Sequence, residues 1–314
     1  MLQYFLIAMI LGVLFVNGWT DAPNAIAAGV STRAMTMKQG VVMATFMNIL
    51  GGFSALFLGK KVAKTVFFLG DFSPDRRGTA ALAAALLAVI LWAVIAWRFG
   101  IPTSESHGLM AGIMGAAMGL GEGGISLTAF GKVLVGLAVS VGLGYLLGWL
   151  FARWFREVKF PVSFWKWGQR VSAALMAFAH GLQDTPKFAS MLMLIAGTGF
   201  SMDLRAALLC SVMMGLGTLL GGGRIIRTVG SEMVQIGQKE GFAADLAGTI
   251  SLFISTMQGL PVSTTHAKTC ALMGAADRVD RKIAGSMFLA WILTFPACGL
   301  LAFFLTKLFL LFQF

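Results

Sequence analysis

Four short stretches hold most of the side chains in this chain that could do chemistry. Residues 17–25 read NGWTDAPNA, and Asp21 is the only formally charged side chain among the first 32 positions. Residues 180–189 read HGLQDTPKFA and carry Asp184 and Lys187. Residues 100–107 and 259–266 read GIPTSESH and GLPVSTTH. The first pair offers carboxylates, the Asn24 amide oxygen and carbonyls freed where Gly and Pro interrupt a helix. These are hard oxygen ligands, suited to Na+, or to a proton carried on Asp. The second pair reads as two helix starts, with hydroxyl caps and Pro in the first turn. First-turn amides have no partner in their own helix and carry partial positive charge, so two such starts facing one cavity make an anion cradle. The hydroxyls of Ser104, Ser106, Ser263, Thr264 and Thr265 add neutral donors. No Arg lies in the four motifs, so an oxyanion held there can leave as well as bind. A cation bound beside it would offset the charge that must cross.

Each motif occurs twice, in the same order. Gly18, Asp21 and Pro23 recur as Gly181, Asp184 and Pro186, an offset of 163 residues (184 − 21). Pro102, Ser104, His107, Met114 and Gly115 recur as Pro261, Ser263, His266, Met273 and Gly274, an offset of 159 (266 − 107). Paired interruptions at matching places in two halves point to the binding site of a secondary transporter. The expected architecture is an all-α polytopic membrane protein. It has two inverted-topology repeats, whose broken helices or re-entrant hairpins meet at the bilayer midplane.

The elements that must position these motifs follow from hydropathy. Of 314 residues, 58% are hydrophobic and 12% charged, about half the charge of an ordinary soluble domain. Apolar runs near 20 residues are long enough to cross a bilayer. The short alternating segments of a transmembrane barrel are missing. Spans are expected over 2–32, 39–59, 79–97, 125–151, 171–199, 205–222, 243–258 and 283–306, with the first and sixth broken at Thr20–Asn24 and within HGLQDTPKFAS. Residues 100–119 and 259–276 are shorter returning limbs. The first run, with no basic flank, reads as a span rather than a signal peptide. The domains expected are 1–151, a basic cytoplasmic linker at 152–170, and 171–314. The net charge of +11 belongs to basic connections such as Lys60–Gly78, read as orientation signals rather than binding patches; no nucleic-acid partner is implied. Cys210, Cys270 and Cys298 show neither disulfide nor metal spacing.

The four motifs resemble those of the PiT family of inorganic phosphate transporters, with its paired G-A-N-D-x-x-N-A and G-[LI]-P-[VI]-S-[ST]-[ST]-H signatures. The resemblance spans both halves. It implies secondary transport of phosphate across the cell membrane, coupled to Na+ or H+, by alternating access and without a cofactor. Sulfate permeases in the same family keep another tetrahedral oxyanion as the alternative, and a homodimer is a family-level expectation. By resemblance, Asp21, Asn24 and Asp184 bind the coupling cation. Ser104, Ser106, Ser263, Thr264 and Thr265 surround the anion, with Gln183 in reach. The departures are Thr20 and Gln183 in place of the first Asn of each signature, Lys187 in place of the second Asn, and Glu105 in place of Ser or Thr. A Lys cannot ligate Na+. Its ammonium is expected to occupy a cation place beside Asp184, leaving one family-like site around Asp21 and Asn24. Glu105 becomes a proton carrier or a further partner for Lys187.

Plainer readings stand beside these. The two Asp and the capping hydroxyls could be structural. His107 and His266 are expected to hold the loops by hydrogen bonds, and Lys268 to snorkel, pair structurally or meet substrate. An intramembrane hydrolase built on the two Asp, or on Ser with His, is disfavoured by the duplicated site and by the lack of HExxH, GxGD or GxSxG. A passive channel would need a pore-lining ring.

Overall fold

A computed structural model describes residues 2–70, 72, 75–99, 101, 103–121, 124–196, 200 and 203–312. Gly100 and Pro102 of the first helix-start motif, Asp71 of the 60–78 connection and residues 197–199 of the sixth expected span lie outside the described residues.

The first half comprises α1 (Leu2–Thr20), α2 (Asn24–Ser31), α3 (Met37–Leu58), α4 (Lys60–Phe67), α5 (Arg76–Arg98), α6 (Glu105–Leu120) and α7 (Leu127–Glu157). The second comprises α8 (Val162–Ala196), α9 (Leu204–Leu220), α10 (Gly223–Arg227) with a following π-helical turn (Thr228–Glu232), α11 (Gln238–Gln258), α12 (Thr264–Ala275) and α13 (Arg281–Leu311). Two residue pairs, Val234–Gln235 and Arg278–Val279, form a small antiparallel ladder. Five helical segments are long and apolar enough to cross a membrane, and a sixth joins them if α9 and the segment bent 67° from it are one span. The protein is a multi-pass membrane protein. The most apolar windows of α3, α7 and α13 are only 28% buried. Phe46, Phe57, Ile292 and Phe304 point outward from these helices, as side chains facing lipid tails can without cost.

The halves match element for element. The α1–α2 pair corresponds to α8, α3 to α9, α5 to α11, α6 to α12, and α7 to α13; the last two are 31 residues each. Packing is exchanged between halves: α6 lies on α13 and α12 on α7, while α3 lies on α8 and α1 on α9. Glycine permits the closest crossings. A Cβ at Gly115 would collide with the Gly299 carbonyl, and at the mirrored crossing a Cβ at Gly274 would collide with the Tyr145 carbonyl.

Two sequence expectations change in detail. The first Asp-x-Pro does break its helix: Asn24, Ala25 and Ile26 donate to the carbonyls of Asp21, Ala22 and Pro23 at 3.0, 3.1 and 3.2 Å, a single tightened turn. The second does not, because α8 runs unbroken through Pro186. Proline removes one backbone donor, and packing around a membrane helix can absorb that loss. Pro186 Cγ faces Gly59 just as Pro23 Cγ faces Gly222, so both rings have room. The basic stretch 152–170 is helical over most of its length, since α7 and α8 extend into it and leave only 158–161 between them. Likewise the 60–78 connection contains α4.

Gly115→Val or Gly274→Val is expected to destabilise the detergent-solubilised protein by at least the ~1–3 kcal/mol typical of overpacking. Gly142→Ala, where no other group comes within 4 Å, is expected to leave thermal unfolding unchanged.

Candidate functional site

All four motifs converge on one buried cluster. Two elements supply carboxylates, the tightened turn after α1 (Asp21) and the middle of α8 (Asp184). Two more supply hydroxyls from the first turns of α6 and α12. Ser104 and Ser263 are the N-caps of those helices, accepting from His107 N at 3.2 Å and His266 N at 3.1 Å. Their capping fixes which way the next two side chains point.

Thr264 Oγ1 lies 3.0 Å from Asp21 Oδ2 and 3.3 Å from Asp184 Oδ2, so one hydroxyl touches carboxylates from both halves. Thr265 hydrogen-bonds Asp21. Asn24 Nδ2 donates to Asp21 Oδ1 at 3.0 Å and to Thr265 Oγ1 at 3.1 Å. The mirror of this triad contains the ammonium. Lys187 Nζ donates to Asp184 Oδ1 at 2.6 Å, to Ser106 Oγ at 2.8 Å and to the Val262 carbonyl at 2.6 Å. Applying the 163- and 159-residue offsets, Asn24, Asp21 and Thr265 become Lys187, Asp184 and Ser106. The ammonium is therefore held by a carboxylate, a hydroxyl and a carbonyl, the oxygen set a hard cation takes. Every member of both triads is buried.

Other motif residues are placed differently. Glu105 accepts from Thr20 Oγ1 and makes no bond to Lys187, whose three partners lie elsewhere; its Oε2 is buried without a partner. Gln183 is spent at both ends, donating to the Leu260 carbonyl at 2.8 Å and accepting from Thr256 Oγ1 at 2.5 Å. The imidazoles of His107 and His266 do not hold the loops: all four ring nitrogens are buried and unpaired. The two rings face each other at 4.7 Å between centroids, backed by Phe295 and Trp291. Lys268 pairs with Asp245, away from the cluster's carboxylates.

Sequence reasoning missed His180 and Asn17. His180 Nε2 lies 3.4 Å from Asp184 Oδ2 and 4.0 Å from Asp21 Oδ2, and its Nδ1 meets Asn48 Oδ1 at 2.8 Å. Asn17 Nδ2 donates to Asp184 Oδ2 at 3.2 Å. Asp21, His180 and Asp184 offer ligand atoms all within 4.8 Å of one another. A signal was present: Asn17 and His180 stand at the same 163-residue offset as the two Asp. Asn24, expected as a cation ligand, keeps its Oδ1 buried and unpaired.

The profile of the phosphate transporter family matches residues 17–163 and 159–302, two stretches that meet at the short connection between α7 and α8. A protein of Rhizobium meliloti named "probable low-affinity inorganic phosphate transporter" is 36% identical, over 95% of this chain and 93% of its own. A Bacillus subtilis protein of the same name is 31% identical, over 94% of each. The fold matches a solved structure described as "the sodium-dependent phosphate transporter" with a TM-score of 0.86, 21% identity and coverage of 99% of each chain.

Removing one partner of a buried ion pair strands the other charge, which costs about 3–5 kcal/mol. Asp184→Ala is expected to lower the thermal stability of the solubilised protein by that order. The double variant Asp184→Ala/Lys187→Met is expected to recover most of the loss.

Proposed function

We propose that this chain, which belongs to the phosphate transporter family, carries inorganic phosphate across a membrane by alternating access, coupled to one mobile cation, Na+ or H+. The observation that carries this reading is the mirrored pair of triads, one built around an amide and the other around an ammonium. The place Lys187 Nζ takes in the second half corresponds in the first to the space bounded by Asp21, Thr265 and the unpaired Asn24 Oδ1. That space suits Na+, or a proton on Asp21. The Lys187 ammonium is a tethered cation that never leaves, so one of two symmetric places is permanently filled.

Phosphate is assigned to the meeting point of the α6 and α12 N-termini. First-turn amides there have no partner in their own helices, and both point their partial positive charge toward the same centre. The unpaired nitrogens of His107 and His266 belong to this place, since buried polar atoms ordinarily have partners. Carboxylates close by would repel phosphate, and this is what ties anion to cation: phosphate is accepted only once the Asp21 side is neutralised by Na+ or H+. The hydroxyls of Ser106, Thr264 and Thr265 face the carboxylates. Their role is to hold the two halves' charges in register. The family is one of transporters, and the enzyme reading falls with it.

Radiolabelled phosphate uptake into proteoliposomes tests the assignment. Uptake is expected with an inward Na+ or H+ gradient and to be competed by phosphate better than by sulfate. No uptake under either gradient would remove the reading, and stronger competition by sulfate would move the substrate. Lys187→Asn, which places the first half's residue in the second, is expected to make uptake depend on an additional Na+. Unchanged cation stoichiometry in an active variant would rule out the tethered-cation role.

A further inference from the structure

A second concentration of charge lies outside the buried cluster. A surface cavity of about 260 Å³ is lined by Lys61, Lys64, Thr65, Ser126, Thr128 and Lys132, among others, and no lining residue is acidic. The α4 helix brings Lys61 and Lys64 against the first turns of α7, which hold Lys132. In sequence these lysines read as orientation signals; the fold gathers them around one space. Lys64 and Lys132 have no hydrogen-bond or ion-pair partner among the described residues. Three ammoniums facing one cavity repel each other unless a negative group shares it.

The cavity wall also holds the loop that leads to the site. Lys61 Nζ donates to the Met257 carbonyl at 3.1 Å and Thr65 Oγ1 to the Gly259 carbonyl at 2.9 Å. From the other side, Gln183 holds the Leu260 carbonyl at 2.8 Å and Lys187 the Val262 carbonyl at 2.6 Å. One stretch of six residues thus joins the cavity to the buried cluster. The opposite half does not repeat the arrangement. Arg224 and Arg227 stand 163 residues after Lys61 and Lys64, and Arg224 Nη1 donates to the Arg98 carbonyl at 3.1 Å much as Lys61 does to Met257. Arg227, unlike Lys64, is already paired with Glu232 at 2.7 Å.

We infer that this cavity is a vestibule for a tetrahedral phosphate oxyanion, which lodges among Lys61, Lys64 and Lys132 before passing the 257–262 loop into the buried cluster. The inference rests on the transport reading above and adds a collecting site on one face of the protein. A positively lined concavity raises the local concentration of an anion, and the gain fades as salt screens it. The same chemistry could be offered by a phospholipid headgroup, so the test separates the two sources.

The test uses the full-length Lys64→Gln/Lys132→Gln variant, which leaves the Lys61–Met257 bond in place. Phosphate transport is measured at low and high ionic strength, in right-side-out and inside-out membrane vesicles. The expected result at low ionic strength is a KM raised roughly 3- to 10-fold with kcat kept. The shift should shrink in high salt and be confined to one vesicle orientation. An unchanged KM, a fall in kcat alone, a salt-independent shift or an equal shift in both orientations would overturn the vestibule. In proteoliposomes of phosphatidylcholine alone the shift is expected to persist. A shift that appears only after an anionic phospholipid is added assigns the cavity to headgroups and overturns entry of free phosphate. Wild-type protein that moves no phosphate sinks the transport reading instead, before any variant is compared.

Discussion

Asp21 and Asp184, one from each half, reach the hydroxyl of a single residue, Thr264. Two carboxylates held that close in a water-poor interior repel strongly, and charge at membrane depth is tolerated only with partners. The rest of the cluster answers this constraint. Lys187 meets Asp184 directly; His180 and Asn17 approach the same carboxylate. Asn24 and Thr265 satisfy Asp21 with neutral groups only. The negative charge is thus compensated unequally, and the side without a built-in cation is the side that must borrow one.

The asymmetry has a second member. Where the second half has Thr264, the first has Glu105; where the first has Asn24, the second has Lys187. One exchange adds a negative charge and the other a positive one, so together they leave the cluster's formal charge as a symmetric pair of halves would have it. The two residues do not bond each other. Glu105 is held by Thr20, and Lys187 by Asp184, Ser106 and Val262. The compensation is therefore electrostatic across the cluster rather than a direct ion pair.

Much of this was legible in the sequence because symmetry is legible. Two constant offsets tied Asp21 to Asp184 and Ser104 to Ser263 before any geometry was known, and the Lys187–Asp184 pair followed from their spacing on a helix. His180 escaped because its mirror is Asn17, a residue of another type, and matching by identity passes over such pairs. The partner of Glu105 escaped because Thr20 lies 85 positions away. Pro186 was read as a break because proline ends most helices; a helix enclosed by neighbours can keep its course past one. The Lys61–Lys64–Lys132 cavity escaped because hydropathy assigns basic connections to the water phase without saying which of them the fold gathers together.

The exchanged packing bears on how the molecule is made. α6 rests on α13, and α13 ends at Leu311, near the last residue the ribosome adds. The helix that begins with Ser104 must therefore wait, threaded into the bilayer but without its main neighbour, for almost all of the remaining chain to emerge. Its twin, α12, has no such delay, because α7 is already in place. A nascent chain stalled after α12 would carry one seated helix and one orphan. Membrane quality control should recognise that intermediate through the exposed polar face of α6, which offers Glu105, Ser106 and His107 to lipid until synthesis is complete.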